Sequence, residues 1–287
     1  MSIHCIAPIP LSSFETSTGL EELENGTGII RIHAEDFLKN VSDPTTWFLD
    51  WCKQIGTPVS QSANGDLILS VRNESFGKND SRTRGPNTNK KLSFHTDRCD
   101  VIAFLCLMPA KNGGENQVID SQVIEKIIQL ERPELHSILK QKYPLKRHSV
   151  DSANEKPYVM QPIFSECQGY FACSYLRVLI DRADSDKNCP SLSKEQRDAI
   201  KFLDEVCERK ELQLRFTMKR GDILLLNNWT LLHRRTAFKD YQDPKMRRHL
   251  LRVWLSVPNS RPIDESFSDN FGSTKAGFIR GGMKKSN

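Results

Sequence analysis

The chain has 287 residues, long for one domain but within reach of a large β-barrel or sandwich that carries insertions. At 38% hydrophobic and 27% charged residues it holds enough apolar material for a core, which excludes a disordered chain. Its longest apolar runs, such as 101–107, fall short of the roughly 20 residues a membrane-spanning helix needs, and a net charge of +5, densest over 245–252 among strand-type apolar residues, argues against a nucleic-acid-binding stripe.

The eight cysteines are scattered without a Cys-x-x-Cys pair, which fits free thiols in a reducing compartment better than a disulfide framework or a thiolate zinc site. The first thirty residues lack a basic segment followed by an apolar run, so export is not expected and a cytoplasmic location is. In chain order, residues 1–25 read as a polar, partly irregular lead-in. Residues 28–33 read as a strand, and Asp43 as the cap of a short helix carrying Trp47, Phe48, Leu49, Trp51 and Cys52. Residues 66–71 are a strand by β-branched content, 73–90 are turn-rich, and Leu92, Phe94 and Thr96 alternate as in a strand. The apolar run 101–107, bounded by Asp100 and Pro109, reads as a strand buried on both faces.

Gly113-Gly114 turns into a strand at 117–119. Ser121 then caps a helix with Val123, Ile124, Ile127 and Ile128 on its apolar face, and Pro133 opens another containing Leu135, Ile138 and Leu139. Ser193 and Gln196 form a capping box for a helix over 195–210 that buries Ile200, Leu203 and Val206. Strands resume at 212–218, 222–227, 230–233 and 249–257. Strands, a helix-bearing insertion over about 120–210, then strands again predict a single domain over 1–287, a β-sandwich or barrel whose middle connection carries helices.

The sharpest local feature is His95-Thr96-Asp97. Residues i and i+2 of a strand share a face, so His95 and Asp97 can bind one ion while Phe94 and Thr96 face away. With seven His in the chain, roughly half a chance occurrence of His-x-Asp is expected, so the pair needs independent support. That support lies downstream, where His233 follows an apolar strand and Arg248 and Arg252 follow His233. On a strand Arg248, Leu250, Arg252 and Trp254 share one face, while His249, Leu251, Val253 and Leu255 form the more apolar face that packs outward under helices. Two guanidinium groups inside a barrel are costly unless an anion pairs with them, which points to an anion site.

His95-x-Asp97, the Gly113-Gly114-Glu115 turn, the distal His233 and Arg248-x-x-x-Arg252 together resemble the TauD/TfdA family of iron(II)- and 2-oxoglutarate-dependent dioxygenases. The resemblance spans about 85–256, with a weaker echo over 276–282. It implies a mainly β (α+β) fold, the double-stranded β-helix or jelly roll, with inserted and flanking helices. It also implies His95, Asp97 and His233 as the facial triad of Fe(II) ligands, with three adjacent positions left for 2-oxoglutarate and O2. Arg248 would pair with the distal carboxylate of 2-oxoglutarate. Arg252 would stand close by, aiding the co-substrate or an acidic substrate group, and such charge-assisted pairs are poorly replaced by Lys. Where many relatives carry Thr or Ser after the Gly-Gly-acid turn, this chain has Asn116, whose amide N–H can still donate.

Other candidates have plainer readings. His33-Ala34-Glu35 is a rival pair read as a helix-entry cluster, and His4, His136 and His148 read as surface residues. His249 reads as packed behind Arg248, Cys99 and Cys106 as buried strand thiols, and Lys91 and Arg98 as rim charges. Asn227, Asn228 and Trp229 orient the distal ligand or line the pocket, if they do more than form a turn. Arg82, Arg84, Lys90 and Arg280 suggest a lid over a barrel mouth. The function expected is oxidation of a C–H bond of a small, anionic or amino-acid-like molecule (hydroxylation, desaturation or ring closure) in specialised metabolism. Two rivals are a non-catalytic metal-containing jelly-roll binding protein, for which Cys99 would be the fourth ligand, and an oxygenase acting on a macromolecule.

Overall fold

The computed structural model describes residues 6–74, 87–147 and 156–284. His4, His148, Arg82 and Arg84 lie outside the described residues. Two sheets face one another. The larger has seven strands in the order Ile9–Pro10, Ile29–His33, Asp222–Asn227, Val101–Met108, His249–Ser256, Thr57–Val59, with Ile68–Val71 also paired to His249–Ser256. The smaller runs Leu214–Phe216, Asn116–Asp120, Leu231–Arg235. The pairing is antiparallel except between Ile9–Pro10 and Ile29–His33.

Period-two alternation sorts the side chains. From the larger sheet Ile102, Cys106, Leu224, Leu250 and Trp254 meet Val118, Leu214 and Leu231 of the smaller sheet. Their neighbours Val101, Ala103, Leu105, Leu251, Val253 and Leu255 face the other way, onto Leu23, Phe48 and Cys52 of the helices Thr16–Asn25 and Pro44–Lys53. The outer face of the smaller sheet, through Ile119 and Leu232, packs beneath the helices Ser121–Glu131, Pro133–Leu139, Arg177–Asp184 and Lys194–Cys207. The order helix, sheet, sheet, helix covers both faces of each sheet, which is why Val101–Met108 is apolar along its whole length.

Several expectations change in detail. Asp120, not Ser121, caps the Ser121–Glu131 helix, its carboxylate accepting from the N–H groups of Gln122 and Val123, while Ser121 Oγ donates to the Thr230 carbonyl at 2.7 Å. The helix expected over 195–210 ends at Cys207. Within the lead-in, residues 16–25 are helical; Gly19 and Leu23 are its two buried positions, so the apolar signal was weak. Two hairpins, Lys142–Lys146 with Tyr158–Pro162 and Phe164–Cys167 with Tyr170–Cys173, and the Arg177–Asp184 helix were not read from the sequence, where Pro144 and Pro162 mask the strand pattern. His136 is buried between helices and bonds to Glu125 Oε1 at 2.8 Å, which corrects its surface reading. Among the described residues no helix is long and apolar enough to cross a membrane.

Arg280 also departs from its expected place in a lid. Its side chain is fully buried and donates from Nε to Asp100 Oδ1 at 2.6 Å and from Nη2 to the Arg261 carbonyl at 2.8 Å. Asp100 accepts in addition from Trp229 Nε1 (2.8 Å), Ser256 Oγ (3.0 Å) and the Val257 N–H (3.1 Å). A carboxylate this buried is tolerable because every lone pair has a donor and one donor is a cation. Arg280→Ala should therefore lower unfolding stability by about 3–5 kcal/mol, read by urea denaturation. A loss below about 1 kcal/mol would show that the pair does not hold the C-terminal stretch.

Candidate metal centre and anion pocket

In the Leu231–Arg235 strand, alternation turns Leu231, His233 and Arg235 towards the larger sheet and Leu232 and Arg234 away from it. Arg234 accordingly lies over the Phe94 ring at 3.9 Å and pairs with Glu208 and Gln117. The inward His233 meets His95 through a reciprocal backbone pair, His95 N–H to the His233 carbonyl at 3.1 Å and His233 N–H to the His95 carbonyl at 3.0 Å. The two rings lie 4.5 Å apart. The strand expected around His95 does not form; His95 makes isolated bridges to Leu176 and His233, and Leu92 and Thr96 donate singly to the carbonyls of Arg235 and Tyr175. Asp97 nevertheless reaches the same place. His95, Asp97 and His233 each offer one ligand atom, and these atoms all lie within 4.8 Å of one another.

The protonation states suit a cation. His95 Nδ1 lies 2.9 Å from the Ser93 carbonyl, which can only accept, so that nitrogen carries a proton and Nε2 is the one left to face a cation. Burial, reinforced by His95 and Arg252 and opposed by Asp97, pushes His233 down to about 3, so its imidazole is neutral and its buried Nδ1 has no hydrogen-bond partner. Burial alone would raise the Asp97 carboxyl, but Arg252, His95 and His233 outweigh it and hold it below the usual value. Two imidazoles and one carboxylate are the donor set of a 2-His-1-carboxylate site with open positions, and His233 turns Nε2 towards Asp97, 3.9 Å from Oδ2.

Beside the triad lies a cavity with about 530 Å³ of empty space, part of it open to solvent. His95, His233, Asn116, Arg235, Arg248 and Arg252 supply its polar wall, and Val118, Leu224 and Leu250 part of its apolar wall. Arg248 is buried, stacks on Phe238 at 5.1 Å, and leaves Nη1 without a partner. Burial lowers it to about 10, with Cys106 and Asp240 opposing. Arg235 stands over the same Phe238 ring at 4.7 Å and is lowered to about 9 by burial and then by Arg248. Asp240 is the carboxylate facing both; its Oδ1 accepts the Arg248 backbone N–H at 2.8 Å. Of these two adjacent buried guanidinium groups, Arg235 already donates from Nη1 to the carbonyls of Lys90 and Thr236 and from Nη2 to that of Thr88, so Nη1 of Arg248 is the donor left to face an anion. Arg252 is engaged differently, bonding through Nε to Gln61 Oε1 at 2.7 Å and through Nη1 to Asp97 Oδ2 at 3.3 Å.

The turn beside the pocket depends on glycine. Gly113 and Gly114 have φ of +74° and +72°, and a Cβ on Gly113 would stand 2.3 Å from the Ala237 carbonyl. Gly114 packs against Arg248 Nε, so the turn brings the chain close to the guanidinium. Asn116 sits at the start of Asn116–Asp120, opposite Arg235 in the Leu231–Arg235 strand, and lines the cavity.

The remaining candidates fall elsewhere. Cys99 is fully buried, its thiol pushed up by burial, and takes no part in the cluster that could hold a metal. His33 bonds through Nδ1 to Asp222 Oδ1 at 2.7 Å, and His249 bonds to Ser70 Oγ at 3.0 Å. Lys91 pairs with Glu208, and Arg98 Nε donates to the Asn270 carbonyl. Sequence reasoning missed Arg235 and Gln61. His233-x-Arg235 was a usable signal for the first, since i and i+2 share a strand face. Gln61, which bonds to both the side chain and the carbonyl of Arg252, left none.

The model of the taurine catabolism dioxygenase TauD, TfdA family matches residues 10–254. FR-33289 synthase of Streptomyces rubellomurinus is 31% identical over 229 residues, covering 77% of this chain and 66% of that protein. The taurine hydroxylase-like protein SAT17 of Stachybotrys chartarum is 30% identical over 210 residues, covering 69% and 53%. The chain thus spans between about half and two thirds of these relatives' lengths. Among solved structures, asparagine oxygenase in complex with Fe(II), 2S,3S-3-hydroxyasparagine and succinate aligns with TM-score 0.63 at 14% identity, over 84% of this chain and 79% of that one. The non-heme iron oxygenase OrfP in complex with Fe, succinate and (3S)-hydroxy-L-Arg aligns with TM-score 0.60 at 14% identity, over 84% and 80%.

Proposed function

Because the chain belongs to the taurine catabolism dioxygenase TauD, TfdA family, we propose that it is an Fe(II)- and 2-oxoglutarate-dependent oxygenase of a small, anionic or amino-acid-like molecule. The observation that carries this reading is the meeting of His95, Asp97 and His233 beside a cavity walled by Arg248 and Arg252. In it His95, Asp97 and His233 hold the iron, which when bound couples O2 and the decarboxylation of 2-oxoglutarate to oxidation of a substrate C–H bond. The residues bind and orient. Arg248 takes the distal carboxylate of 2-oxoglutarate on its unpartnered Nη1 with Arg235 adding charge, and Asn116 donates to the same group. Arg252, steered by Gln61, stands between Asp97 and the cavity, where it meets an anionic group of co-substrate or substrate. The apolar wall excludes water.

The two facing sheets support reading the fold as a double-stranded β-helix, or jelly roll. The chain is read as a single domain over 1–287, with 1–25 as a lead-in and about 120–210 as a helix-bearing insertion, in the reducing cytoplasm that free buried thiols suit. The names of the relatives, a synthase and oxygenases solved with hydroxylated asparagine and arginine, support an amino-acid-like substrate and a place in specialised metabolism. Whether the outcome is hydroxylation, desaturation or ring closure is a matter of where the substrate carbon is held. Protein reconstituted anaerobically with Fe(II) should, on exposure to air and 2-oxoglutarate, release succinate, and one member of a panel of amino and organic acids should stimulate that release at least several-fold. Absence of succinate under every condition, together with no iron retained after reconstitution, would end the proposal.

A further inference from the structure

We propose that Asn228 is a positioning residue that sets Asp97 in place for the metal before any metal arrives; this rests on the reading of His95, Asp97 and His233 as metal ligands. Asn228 is 1% exposed and lies in the turn between Asp222–Asn227 and Leu231–Arg235, so it is joined by a short stretch of chain to His233. Both ends of its amide address the main chain of Asp97. Oδ1 accepts from the Asp97 N–H at 2.8 Å, and Nδ2 donates to the carbonyls of Asp97 and, at 3.0 Å, Cys99. Its own N–H donates to the Asp100 carbonyl at 2.8 Å. Only an acceptor can face an N–H and only a donor can face two carbonyls, so the amide has one orientation.

This clamp supplies what secondary structure does not. Asp97 sits on irregular backbone with no ladder to hold it, whereas His95 and His233 are tied to each other by their reciprocal backbone bonds. Asn228 extends the same tie to the third donor. All three donor positions are therefore linked, His95 to His233 by backbone bonds and Asp97 by the Asn228 side-chain amide, without any metal. A carboxylate held this way does not have to be ordered when the cation binds, so the entropy of ordering its backbone is not lost at that step. Losing a group that orients a ligand typically weakens metal affinity by about 10- to 100-fold.

Asn227 offers an internal control. It is equally buried, at 1%, but its Nδ2 donates to the Leu23 carbonyl and its Oδ1 accepts from the Trp229 N–H, away from the Asp97 segment. The test compares Asn228→Ser with Asn227→Ser in anaerobic titrations with Fe(II) and Co(II), beside the thermal stability of each metal-free protein. Both substitutions should lower stability. Asn228→Ser alone should weaken metal binding about 10- to 100-fold and alter the visible absorption of the bound Co(II). Equal weakening in both variants, or unchanged metal affinity in a folded Asn228→Ser protein, would overturn the inference. Should Asn228→Ser not fold, amide exchange in the metal-free wild-type protein decides: the Asp97 N–H should be as protected as the paired N–H groups of His95 and His233, and exchange at the rate of an open loop would refute the clamp. A wild-type chain that takes up no metal would instead overturn the functional proposal, and this inference with it.

Discussion

His95→Ala should yield a folded protein whose metal is bound far more weakly and whose succinate formation is largely lost. His95 is the most suitable ligand to remove, because its side chain is half-buried and makes a single local bond, to the Ser93 carbonyl; nothing in the core rests on it. Four-ligand zinc sites bind with about 10–16 kcal/mol, or on the order of 3 kcal/mol per ligand, so loss of one imidazole should weaken Fe(II) binding on the order of 100-fold. Catalysis should fall further, since two remaining ligands no longer hold the open positions in fixed relation. Metal titration, urea denaturation and a succinate assay on one preparation separate these effects. A folded His95→Ala protein that keeps wild-type iron affinity would remove His95 from the site.

Arg248→Met should weaken 2-oxoglutarate binding by about 30-fold to a few thousand-fold, the equivalent of the ~2–5 kcal/mol lost when one member of a buried, hydrogen-bonded charge pair is truncated. The same change should leave the metal-free protein no less stable, because the group removed is a buried guanidinium whose Nη1 has no partner. Alkaline titration shows the sign. Burial lowers Arg248 to about 10 from its ordinary 12.5, so above about 10 the folded chain binds fewer protons than the unfolded one. Stability from this group therefore rises with pH through that window, and its cost is fully present at neutral pH. Arg248→Met should abolish that rise. Arg248→Lys should also bind 2-oxoglutarate weakly, since an ammonium cannot offer two parallel N–H groups. The readouts are the KM for 2-oxoglutarate and anaerobic equilibrium binding. A change below about 3-fold in the Met variant would remove the carboxylate contact from Arg248.

These two tests bear on residues that stood out in the sequence for different reasons. Arg248 and Arg252 were legible because period-two alternation is a local rule, and the His249–Ser256 strand obeys it with its apolar face outward. His95 and Asp97 were singled out by the same rule, yet the segment that carries them is not a strand. Their convergence comes from the backbone pairing of His95 with His233 and from the amide of Asn228. The local spacing named the right neighbours through a geometry that the chain does not adopt. Arg235 was legible too, by its spacing from His233, but its role depends on sharing the Phe238 ring with Arg248, a contact that no local pattern announces.

What the sequence determined by itself was what depends on neighbours along the chain: the helices Pro44–Lys53, Ser121–Glu131, Pro133–Leu139 and Lys194–Cys207, the doubly buried Val101–Met108 strand, the Gly113-Gly114 turn, and the chemical types of the donor and anion-binding groups. What the tertiary structure decided was which distant groups meet. Arg280 reached Asp100 and not a lid, Gln61 reached Arg252, and Asn228 reached Asp97, because burying a charge or amide is tolerable only where its full set of partners is assembled. Those partners are drawn together by sheet pairing across most of the chain's length, which short-range periodicity does not encode.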